Sequence, residues 1–147
     1  MTFPRDPRFW GCELTILGWT ANNRADVTKA WNALAASEAR DSTNMLASGW
    51  GTRRLLVAAV AARAGMSDSA LAIVERTRAS RPGGAPSDQL DYGEAHVHAL
   101  LGHPDQAIPL LQTYLRTNPA LRGQVRNHPW FASLQRDPRF GAMTAPR

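Results

Sequence analysis

Apolar residues recur at helical spacing in three stretches of the chain. Between Ala25 and Ser37 the stripe is Val27, Ala30, Trp31, Leu34 and Ala35. Between Asp68 and Ala79 it is Ala70, Ile73, Val74 and Thr77, and between Pro104 and Thr117 it is Ala107, Leu110, Leu111, Tyr114 and Leu115. Steps of i, i+3, i+4 and i+7 return side chains to one side of a helix, so each stretch predicts an amphipathic helix with one buried face. Pro109 falls inside the third stripe, where its missing N–H removes a backbone bond and threatens a kink.

The flanks of the second and third stripes match. Gly65 stands five residues before Ala70, and Gly102 five residues before Ala107; Pro82 follows Ala70 by twelve residues, and Pro119 follows Ala107 by twelve. A glycine permits a tight turn between helices and a proline stops the helix that follows. Each turn is preceded by a further helical segment, Gly51 to Ala64 and Ser87 to Leu101. A third such segment runs from about Pro7 to Ala21, with Asp6 placed as N-cap and Pro7 at the first helical position. The pattern therefore predicts three helical pairs. Between the first and second, the segment 38–50 either lengthens a helix or forms a longer loop.

The order of small residue, turn glycine, alanine, large apolar residue and proline resembles the tetratricopeptide (TPR) motif of about 34 residues. In the third unit the motif positions fall on Ala95, Gly102, Ala107, Leu111 and Pro119, and in the second on Ala58, Gly65, Ala70, Val74 and Pro82. The first unit departs from the pattern, with Asn22, Val27 and Ala39 in place of glycine, alanine and proline, while Trp31 holds the large apolar position. The tryptophan typical of the first TPR helix is absent from all three units, where Gly11, Arg54 and Asp91 stand. The resemblance implies an all-α fold: a right-handed solenoid of about three helical hairpins in a single domain, residues 1–147, with repeats near 6–39, 51–82 and 88–119.

The stretch NHPWFASLQRDPRF, residues 127–140, resembles the endings of TPR arrays in bacterial multidomain regulators that carry kinase or cyclase domains. Asn127 to Pro129 reads as the start of a short helix, with Trp130, Phe131 and Leu134 on its buried side, and Asp137–Pro138 as the start of another turn. Terminal repeats of a solenoid must cover their last apolar face, so a capping tail at 127–147 is expected.

Composition adds exclusions. With 147 residues, 44% hydrophobic and 20% charged, the chain has the balance of one globular domain. Lys29 is the only lysine among 17 basic residues, and the net charge is +5. Arg53, Arg54, Arg63, Arg76, Arg78 and Arg81 could gather into a phosphate-binding patch. No aromatic interleaving or DNA-reading motif accompanies them, so nucleic acid is not the expected partner. The first residues lack the charged, apolar and cleavage regions of a signal peptide, and the apolar run Leu55 to Ala62 is too short to cross a bilayer. A cytoplasmic protein without membrane attachment is the expectation.

Candidate chemistry is thin. Cys12 is the single cysteine and has no cationic neighbour to activate it. His96 and His98 are two residues apart and point to different sides of a helix, so they cannot chelate together. Glu94 and His98, at i and i+4, share a face with Asp91 nearby, yet His98 is better read as a packing residue. Gly83–Gly84 lacks the lysine and the preceding strand of a phosphate loop and reads as a linker. No catalytic residue, metal or cofactor is assigned. The resemblance instead implies a protein or peptide partner in a concave groove lined by the first helix of each repeat. The expected binding residues are Cys12, Ile16, Trp19, Leu55, Arg63, Tyr92 and His96. Self-association, or docking as the tail of a larger signalling protein, is the other function expected of such a chain.

Overall fold

The computed structural model describes residues 23–40, 50–79 and 88–146. Every regular element among them is helical, and the chain divides between Ala85 and Pro86 into two compact units. The first predicted helix, with its cap at Asp6 and Pro7, and the Gly83–Gly84 linker lie outside the described residues.

The described part of the first unit is three helices: α1 (Arg24–Arg40), α2 (Trp50–Arg63) and α3 (Ser67–Ala79). Asn23 begins α1, its side-chain oxygen accepting from the Asp26 N–H at 3.1 Å, which satisfies one of the donors a helix start leaves open. Val27, Ala30, Ala33 and Leu34 form the buried face of α1. Trp31 departs from the predicted stripe and is 42% exposed. The reason is angular: Trp31 sits roughly 90° around the axis from the centre of the face that these four residues share. Helix α2 packs against both α1 and α3, and with a neighbour on each side it is buried around its whole circumference from Val57 to Ala61.

The second unit opens with α4 (Asp88–Leu100) and α5 (Pro104–Thr117), continues through a 3-10 turn (Pro119–Leu121), α6 (Arg122–Asn127) and a 3-10 segment (Pro129–Leu134), and closes with α7 (Pro138–Thr144). Four of these elements start at an X-Pro step, where proline's fixed φ suits the first helical position and its missing N–H costs nothing. Helix α5 runs on through Pro109, which lacks the N–H that would have donated to the Asp105 carbonyl. The core joins Ala95 and Ala99 of α4, Ala107, Ile108, Leu111, Tyr114 and Leu115 of α5, and Val125, Phe131, Leu134 and Phe140 of the tail. Fully burying a leucine or phenylalanine stabilises by about 1.5–3 kcal/mol, so the three large tail residues are a major part of this unit's core.

The hairpins α2–α3 and α4–α5 turn in the same way. Gly65 has φ 78° and Gly102 φ 73°, the left-handed conformation that glycine adopts without a Cβ penalty. In the first, the Gly65 N–H donates to the Ala62 carbonyl (3.1 Å) and the Met66 N–H to the Ala61 carbonyl (2.9 Å). In the second, the Gly102 N–H donates to Ala99 (3.3 Å) and the His103 N–H to His98 (2.9 Å). Both are Schellman closures, in which two otherwise open helix carbonyls are satisfied by the turn. The small residues beside the turns match too. Ala58 and Ala95 are fully buried on the first helices, and Ala70 and Ala107 on the second helices.

Candidate interaction surface

Cys12, Ile16 and Trp19 lie outside the described residues. The other four expected binding residues sit on α2 and α4. In the first unit, Leu55 is buried at 3% exposure, two residues before the close-packed run on α2. Arg63 ends α2 and is half-buried. A cation at this end complements the partial negative charge of the helix C-terminus. Its Nε is buried and has no hydrogen-bond partner among the described residues. Burial lowers the guanidinium pKa from the ordinary arginine value, yet arginine stays charged at any ordinary pH.

In the second unit Tyr92 and His96, at i and i+4, share a face of α4, and the 3-10 segment Pro129–Leu134 packs against that helix. Half-buried Tyr92 lies among aromatic rings, with centroids 4.7 Å from Tyr114, 5.4 Å from Phe131 and 5.9 Å from Trp130. The Phe131 contact is edge-on, a favoured geometry for aromatic quadrupoles. Burial, with the Tyr114 phenol nearby, pushes the Tyr92 hydroxyl up to about 12. His96 is 1% exposed and stacked on Trp130, with rings 3.9 Å apart and parallel to within 1°. The structure therefore joins Tyr92 and His96 to the tail. Tyr92 stays partly exposed there, whereas His96 is enclosed.

The sequence reading missed how the tail is fastened. Ser133 donates its hydroxyl to the Ala99 carbonyl at 2.9 Å, a second bond to the acceptor near the end of α4 that the Gly102 N–H also reaches. His128 caps the 3-10 segment, its Nδ1 accepting from the Trp130 N–H at 3.2 Å. Arg139 bridges Asp137 and Asp105 at 2.8 Å each, tying α7 to the first turn of α5. Hydrogen bonds to those carboxylates, Asp137 first, raise the pKa of Arg139, and the same contact lowers that of Asp137. His128–Trp130 and Asp137–Arg139 are local pairs two residues apart, whereas Ser133–Ala99 and Arg139–Asp105 each span 34 residues and are brought together only by the fold. Glu94 and His98 do approach as their spacing suggests, with Oε1 and Nε2 3.7 Å apart, and both are buried. No third ligand-type side chain joins a potential metal site among the described residues.

No described helix is long and apolar enough to cross a membrane. Compared with protein-family models, curated proteins and solved structures, the chain matches none.

Proposed function

We propose that this chain is a divergent TPR-like repeat protein that binds a protein or peptide partner. One observation carries the reading. The turns of α2–α3 and α4–α5 repeat, residue for residue, at the 37-residue interval between Gly65 and Gly102, with the same positive φ, the same hydrogen bonds and the same buried alanines. Hairpins of this kind stack into extended surfaces that recognise partners by shape and side-chain chemistry. On this reading the first helices carry the binding surface. Arg63 supplies positive charge, the half-buried Tyr92 ring supplies an amphipathic contact, and Trp19 supplies the anchor on the first repeat.

The test is partner capture from an extract of the cells that express the chain, with Arg63→Glu and Trp19→Ala beside the wild type. The reading predicts lost capture with helicity and melting temperature retained. Full capture by Arg63→Glu, with Trp19→Ala merely unfolding, would place binding elsewhere.

A second reading, self-association, is favoured by Trp31. A tryptophan 42% exposed on α1 is a ready anchor for a second copy. Sedimentation analysis of wild type and Trp31→Ala separates the two. Self-association requires a concentration-dependent dimer that the substitution abolishes, and a monomer throughout would remove it.

A further inference from the structure

A cleft of about 370 Å³ opens in the second unit between α5, α6 and the end of α7. Leu115, Met143 and Pro146 give it apolar walls, and Gln112, Arg116 and Arg122 stand on its polar side. No residue of α4 lines it, so it is distinct from the face that carries Tyr92 and His96. The Arg116 guanidinium donates to the Thr113 hydroxyl at 3.1 Å. That contact steadies the group without neutralising it. Neither Arg116 nor Arg122 is paired with a carboxylate among the described residues.

The sequence around the cleft is one-sided in charge. No Asp or Glu occurs between Asp105 and Asp137, while Arg116, Arg122, Arg126 and Arg136 all fall in that interval. The two carboxylates that bound it are both engaged by Arg139. The cleft thus combines two uncompensated guanidiniums, a side-chain amide and an apolar wall. A guanidinium donates paired hydrogen bonds in the geometry a carboxylate accepts. The volume is at the small end of ligand sites and takes one or two side chains.

We infer that this cleft binds an acidic peptide segment of a partner, seating a carboxylate on Arg116 and Arg122 and a neighbouring aliphatic side chain against Leu115 and Met143. The site does not depend on the groove on the first helices, and loss of either leaves the other testable.

The experiment is an NMR titration of the full ¹⁵N-labelled chain with acetyl-Leu-Glu-Leu-amide, its glutamine counterpart, and inorganic phosphate. The glutamate peptide should shift the amides of Gln112, Leu115, Arg116, Arg122, Ala142 and Met143 in a saturable way. The glutamine peptide should bind at least about tenfold more weakly, as expected for losing a charge-assisted hydrogen bond. Arg116→Gln with Arg122→Gln should remove the shifts while leaving the melting temperature in place. The single variants, each still folded, should weaken binding by intermediate amounts. Equal binding of the two peptides, shifts mapping elsewhere, or phosphate competing as strongly as the glutamate peptide would each overturn the inference.

Discussion

Leu111 shows how a single side chain reports on the second hairpin. It is fully buried, packed among Ala95, Ala107 and the aromatic residues of the tail. Leu111→Ala should cost about 2–5 kcal/mol, the range for truncating a buried leucine, read from chemical denaturation. A loss below about half a kcal/mol would place the residue on the surface. His128 makes a prediction in pH. Burial lowers its pKa below the ordinary 6.5, and its Nδ1 must be unprotonated to accept from the Trp130 N–H. The unfolded chain therefore takes up a proton at higher pH than the native one does. The stability this group contributes is fully present above pH 6.5 and falls as pH drops toward the lower native value. Thermal melts from pH 7.5 to 5 should show this decline, and His128→Asn, which can cap without titrating, should reduce it. An identical pH profile in the variant would remove His128 as the cause. Residue types also limited what could be read beforehand. Leu111 announced itself by spacing and Tyr92 was expected only from the repeat resemblance, but the His96–Trp130 stack joins positions far apart in the chain and has no local signature.

At the scale of elements, the hairpin turns are the part most legible in the sequence. Gly65 and Gly102 were marked by their constant distance from Ala70 and Ala107, and both adopt the positive φ that the turn requires. A Cβ at Gly102 would meet nothing within 4 Å, so the cost of Gly102→Ala is purely conformational, about 1–2 kcal/mol. Gly141 lies inside α7 and also has open space around it. There the same substitution should stabilise by about 0.5–1 kcal/mol. Denaturation midpoints of the two variants moving in opposite directions would confirm the contrast; movement in the same direction would contradict it. The stripe of α1 was less legible. Large size drew Trp31 into the predicted core, whereas the small Ala30 and Ala33 mark the side that packs closely. The tail's helix starts were visible as X-Pro steps, yet its Asp105–Arg139 link and the arginine-lined cleft depend on the folded chain. Only the long interval without carboxylates hinted at the latter.

For the whole molecule, the helical class follows from periodicities that cover most of the chain, and every regular element among the described residues is a helix. Function is far less legible, because a hairpin repeat fixes a scaffold and leaves recognition to a few exposed side chains. The repeat reading has a consequence at backbone level. If residues 50–79 and 88–117 are two copies of one hairpin, their turns must be alike in solution. NMR chemical shifts and amide exchange on the full chain measure this directly. The account predicts positive φ at both Gly65 and Gly102, slowed exchange at Met66 and His103, whose N–H groups close the two turns, and continuous helix on either side of each. A negative φ at either glycine, fast exchange at one closing amide but not the other, or strand or coil in place of either hairpin would contradict it.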